Sequence, residues 1–167
     1  MKILASVAIA ASLALPLSAI QAQKADIVVS SNRSIERFAE DISRDLDRHL
    51  QSPTPLRSQV QESGVAQVLF QCGPDGKPAN ITMYRGASSL AVNRLAKRAV
   101  SKIKVLHPLP SGLSEDQLYL ANIIIANSPV QHAQLSRQLQ KREAQRLASG
   151  KDLRKIFAFN VRNTPST

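Results

Sequence analysis

One cysteine, Cys72, stands among the 167 residues, so no disulfide can form within the chain. The fold must rest on packing alone. Core filling is the expected role of Cys72, with an intermolecular or redox function as the alternative. No activating base lies near it in the sequence. Histidine is almost as scarce: His49, His107 and His132 are far apart, so no metal centre is expected. His107, beside Pro108, reads as a loop residue. No glycine-rich loop leads from a strand into a helix, and no serine sits in a nucleophile elbow. We therefore expect no catalytic residues, no cofactor and no enzyme. Internal repeats and low-complexity blocks are also missing.

Acidic side chains are outnumbered, 12 against 22 Lys and Arg, for a net charge of +10. The excess is uneven. Residues 23–60 carry six basic and six acidic groups, residues 61–128 seven and four, and residues 129–167 eight and two. In a cytosolic protein a basic tail would suggest nucleic acid. The N-terminus argues otherwise, because Lys2 precedes an apolar stretch from Ile3 to Ile20 and a small residue, Ala22, at a cleavage position. Nucleic acid is therefore not an expected partner. Contact of the tail with a membrane surface or an acidic protein is open, and a solvated basic helix is the plain alternative. Cleavage after Ala22 leaves 145 residues, enough for one domain. A periplasmic location follows, with an inner-membrane anchor as the alternative.

Within the mature chain, Asp26 to Ser30 is β-branched and reads as an edge strand or an extended arm. Ile35, Phe38, Ala39, Ile42, Leu46 and Leu50 then fall on one helical face, capped by Ser31 or Asn32. That helix ends before Ser52-Pro53-Thr54-Pro55. Val65 to Cys72 and Pro78 to Tyr84 have strand composition. They flank Gly73-Pro74-Asp75-Gly76-Lys77, where proline sets the first turn dihedral and glycine accepts positive φ, so the pair reads as an antiparallel hairpin. Ser88 or Ser89 caps a second helix with Val92, Leu95, Ala96, Ala99 and Ile103 inward. Arg94, Lys97, Arg98 and Lys102 form a candidate basic face outward. A loop rich in proline follows, from His107 to Gly112. Leu118 to Ala126 is an apolar, β-branched run and reads as a strand. Pro129 opens a helix whose apolar face is thin, Leu135, Leu139 and Leu147 with Glu143 in the gap. Gly150 ends it, and Phe157, Phe159 and Val161 alternate in a possible last strand.

The order of hairpin, capped helix, proline loop and apolar strand resembles the C-terminal domain of the TonB family over about residues 60–128. The residues that carry the likeness are Val65 to Cys72, the Asp75-Gly76-Lys77 turn, Gly86-Ala87-Ser88-Ser89, Leu90, Leu95, Ala96, Ala99 and Pro108-Leu109-Pro110 before Leu118 to Ala126. The resemblance implies a small α+β domain, an antiparallel sheet of a hairpin and a further strand packed with two to three helices. It also implies a partner, an extended peptide of an outer-membrane receptor that adds as a strand to a sheet edge, in support of TonB-dependent transport. By analogy the candidate edge is Leu118, Leu120, Asn122, Ile124 and Ala126, and a central core strand is the other reading of that run. Ile156 to Val161 could pair with the same edge and shield it. Two features set the chain apart from energy transducers. Residues 1–22 hold no His, Asp or Glu, and no long proline-rich spacer follows them.

The expected organisation is thus a signal peptide over 1–22, an arm and helix over 23–60, the TonB-like part over 61–128, and a basic helix with a possible strand over 129–167. A structural or envelope-surface factor acting through the basic C-terminal segment is the alternative function. The oligomeric state is left open. The mature protein is expected to begin at Gln23, which intact-mass measurement of the exported chain checks; a chain still starting at Met1 would favour the anchored alternative.

Overall fold

The computed structural model describes residues 23–51, 62–104, 106–114, 116–150 and 155–161, with side chains from Ser34 onward. The expected signal peptide and the Ser52–Pro55 turn lie outside the described residues. Seven elements follow in order: α1 (Gln23–Gln51), β1 (Gly64–Cys72), β2 (Pro78–Arg85), α2 (Leu90–Val100), β3 (Leu118–Ile125), α3 (Pro129–Ala148) and β4 (Phe157–Val161). The class is α+β, as expected. The sheet is larger than expected and mixed: its order is β2-β1-β3-β4, with β1 antiparallel to both neighbours and β4 parallel to β3. A parallel neighbour needs a crossover, and α3 is that crossover.

The hairpin forms where the turn residues place it. Gly76 takes φ 73°, and the turn closes through Gly73 N donating to Lys77 O at 2.7 Å and Gly76 N donating to Gly73 O at 2.9 Å. At the entry to α2, Ser89 Oγ accepts from Val92 N. Just before it, Asn93 binds both the N–H and the carbonyl of Ala87 at 2.8 and 2.9 Å.

One face of the sheet carries the main core. Ala66, Val68 and Phe70 of β1, Tyr119, Ala121 and Ile123 of β3, and Phe159 and Val161 of β4 meet Phe38, Ile42, Leu46 and Leu50 of α1 and the inner stripe of α2. Phe38, Phe70 and Phe157 surround Tyr119, whose ring stacks on that of Phe70 at 5.4 Å between centroids, and Phe159 joins the cluster through Phe70 and Phe157. The four-residue spacing of the α1 stripe explains its docking, since such positions share a helix face. Asp45, on the same helix, is buried and accepts from Arg48 at 3.0 Å and from the backbone N–H of Lys104 at 3.0 Å. That bond ties α1 to the loop after α2.

Residues 26–30 do not form a strand or an arm; they lie inside α1, so the cap expected at Ser31 or Asn32 is also displaced. Three consecutive β-branched residues lower helix propensity by only tenths of a kcal/mol each, too little to break a 29-residue helix.

The opposite face is covered by α3, and its contact is half polar. Val65, Ile124, Ala126 and Leu139 form a small apolar cluster with Leu135 against it. Leu147, expected inward, is 49% exposed, and Arg146 is buried in its stead at 4%. One register position runs across all four strands as polar residues: Arg85, Gln67, Asn122 and Asn160. Gln67 Nε2 donates to Asn122 Oδ1 at 2.9 Å and to Glu143 Oε1 at 2.7 Å, and Asn122 Nδ2 donates to Asn160 Oδ1 at 3.0 Å. From α3, Arg146 grips Glu143 through Nε and Nη2, Gln145 accepts from Arg85, and Arg142 donates to the carbonyl of Val65. Burial lowers the pKa of Arg142, and the charge of Arg85 adds to that.

Polar groups under a helix cost stability unless they are bonded, and this row supplies bonds to all but Gln67 Oε1, which has no partner among the described residues. Removing Glu143 would take the carboxylate from the buried Arg146 guanidinium and one of two acceptors from the Gln67 amide. Glu143→Ala should therefore cost about 3–5 kcal/mol, the range for breaking a buried pair. Urea unfolding measures it, and a loss under about 1 kcal/mol would mean that the row is solvated.

Candidate functional site

The strand expected to form the peptide-binding edge is interior. β3 is hydrogen-bonded along its length to β1 and, from Tyr119 to Ile123, to β4. Leu120, Asn122, Ile124 and Ala126 are buried, and Leu118 at the strand's start is 36% exposed. The apolar run reflects cover on both faces and neighbours on both sides. The shielding expected of Ile156 to Val161 is what occurs. Asn122, one of the expected edge residues, takes part in the polar row and faces α3.

The sheet's two outer margins are β2 and β4. β2 is a poor template for a further strand. Its register with β1 shifts twice, Asn80 adopts φ 52°, and it starts at Pro78, all features that interrupt an edge. β4 has no partner on its outer side among the described residues, and its pairing with β3 is regular.

Along that margin a groove of about 540 Å³ separates β4 from α1. Ala158, Phe159 and Asn160 line one wall; Ala39, Glu40, Ser43, Arg44 and Asp47 line the other. Arg44 pairs with Asp41 at 3.1 Å on the exposed side. Ser43 donates to the carbonyl of Ala39 at 2.6 Å. Asp47 accepts from Gln51 through Oδ2, while its Oδ1 is buried and has no hydrogen-bond partner among the described residues. Desolvation raises the Asp47 pKa, opposed in part by the Gln51 bond. The groove thus presents a strand margin at one side and, at the other, a carboxylate bonded through one oxygen only among the described residues.

The candidate basic face is present as a surface. Arg94, Lys97 and Arg98 are exposed, Lys102 is half-exposed beyond the helix end, and none makes an ion pair among the described residues.

A second site was not legible from spacing. Cys72 has a base after all: His107 Nε2 lies 3.1 Å from its Sγ. The two are 35 residues apart, and the loop after α2 brings the imidazole back to the end of β1. Gly76 makes room for it, since a Cβ at that position would stand 2.9 Å from His107 Cδ2. The one sequence signal was indirect, a histidine excluded from the helix by Pro108 and so confined to the loop that faces the hairpin turn.

No group of three or more potential metal ligands occurs among the described residues. No helix among them is long and apolar enough to cross a membrane. In comparisons with known proteins, no family model, no curated protein and no solved structure matches the chain.

A pKa raised on folding means that Asp47 contributes stability only while protonated, and that contribution is lost as pH rises from the ordinary aspartate range through the raised folded value. Asp47→Asn should therefore match wild type at about pH 3 and be the more stable protein at about pH 7. Urea midpoints at the two pH values check this, and a variant less stable at the higher pH would show that the ionised carboxylate is stabilised in place.

Proposed function

We propose that this chain is an exported, periplasmic protein-binding module related to TonB C-terminal domains, and not an enzyme. Its partner is an extended peptide, of the kind an outer-membrane receptor presents, which adds as a strand to the sheet in support of TonB-dependent transport. The observation that carries the reading is the outer margin of β4 beside the groove against α1. An edge strand offers main-chain donors and acceptors for affinity, and groove walls select side chains. The margin differs from the one the family resemblance implies, because β4 occupies the side of β3 where a guest would otherwise lie.

The alternative, a structural or envelope-surface factor working through the basic C-terminal segment, draws less support. Two of the basic residues of α3, Arg142 and Arg146, turn onto the sheet, leaving Arg137 and Lys141 as its exposed cations.

Ser43→Trp would fill the groove from its α1 wall while leaving the residues of β4 unchanged. A partner recovered from envelope extract with wild type should be lost or weakened at least about tenfold with this variant, the equivalent of about 1.4 kcal/mol. In the wild-type complex, amide exchange should slow at residues 157–161. Equal recovery by both proteins, or slowing at β2 instead, would count against strand addition at β4.

A further inference from the structure

Cys72 lies half-buried at the end of β1, packed against the edge of the main core, while the imidazole of His107 is exposed to solvent. At 3.1 Å, Nε2 and Sγ can share one proton. The exposed ring keeps the hydration that an imidazolium needs, so moving the proton from sulfur to nitrogen leaves neither charge stranded in the core. The contact of Sγ with the carbonyl of Gly73, at 3.5 Å, is weak by comparison.

A third group faces the same place. Tyr119 is fully buried, and its hydroxyl has no hydrogen-bond partner among the described residues. Its pKa is pushed up to about 12 by burial and then by the charge of Cys72, which puts the phenol within the field of the sulfur. The other charged groups nearby are in the turn, where Asp75 and Lys77 pair with each other at 3.1 Å.

We propose that Cys72 and His107 form a reactive thiol pair that captures low-molecular-weight disulfides as a mixed disulfide at Cys72. His107 Nε2 takes the thiol proton, and the thiolate attacks one sulfur of the small molecule. A new bond to Cys72 Sγ forms as the original S–S bond breaks. The departing thiolate takes the proton from the imidazolium and leaves as a thiol. One disulfide replaces another and one thiol replaces another, so the small disulfide is the oxidant and electrons balance. Cys72 is the only cysteine, so no second thiol in the chain resolves the adduct. It persists until an external thiol removes it. Acyl transfer is the poorer reading of the pair, because among the described residues nothing holds the second ring nitrogen of His107 in a fixed tautomer. A half-buried sulfur flanked by an imidazole and a tight turn also favours a small reagent over a disulfide within a folded protein.

The test uses the native full chain and oxidised glutathione at neutral pH, with adducts followed by intact mass. Wild type should be modified at least about threefold faster than His107→Gln, the net effect of about one pKa unit once the weaker nucleophilicity of the less basic thiolate is set against its larger population, and Cys72→Ser should not react. Equal rates for wild type and His107→Gln, or no adduct on wild type, would overturn the proposal. Because the substitution could reshape the turn, the pH dependence of iodoacetamide alkylation supplies a second readout. The midpoint should lie lower in wild type with the same plateau; an unchanged midpoint with a lower plateau means that His107 governs access only, and the proposal fails. Faster reaction with a protein disulfide than with glutathione would overturn the small-molecule assignment.

Discussion

The parallel pairing of β4 with β3 decides most of what this protein presents to its surroundings. Without it, β3 would be a long apolar strand with one row of main-chain groups unpaired, a template for association. With it, β3 becomes the centre of a sheet covered on both faces, and the available margin moves outward to a shorter strand walled by α1. Phe159 and Val161 secure β4 in the main core. Asn160 fixes its register through Asn122, since a slip by one residue would turn the two apolar side chains toward α3 and the asparagine toward the aromatic cluster.

The two faces of the sheet are held by different physics. Toward α1 and α2 the contact is apolar and aromatic, strong but non-directional. Toward α3 it is a directional network in which Gln67, Asn122, Glu143 and Arg146 must find specific partners. An apolar face tolerates changes of similar volume, whereas the network leaves an unbonded group behind when any member is removed. The crossover helix is thereby placed in one position over the sheet, and α3 in turn delivers the chain to β4 in the correct direction.

The elements that could be read from residue order are those whose cause is local. The Pro74-Asp75-Gly76 turn, the Ser89 cap and the inner stripes of α1 and α2 each depend on neighbours within a few positions. What spacing could not supply were pairings between distant residues. Gln67 and Glu143 are 76 positions apart and turn what would be a gap in an amphipathic helix into its anchor. The rule that sends arginine to solvent fails for Arg146 because Glu143, one turn earlier, is drawn onto the sheet by Gln67 and brings its partner with it. An apolar run such as Leu118 to Ala126 states that a strand is covered but not how many neighbours it has. At the start of the chain the error was of the opposite kind, with a few β-branched residues given more weight than the long helix around them.

The sheet is completed out of step with the chain. Because β4 follows α3, the strand that closes β3 is made only after the crossover helix, and until then β3 has only one neighbour. During synthesis, and during any translocation that keeps the chain extended, the most apolar strand of the protein is therefore open on one side. A nascent chain of this design depends on prompt arrival of β4, or on a chaperone, to keep that strand from pairing with another molecule.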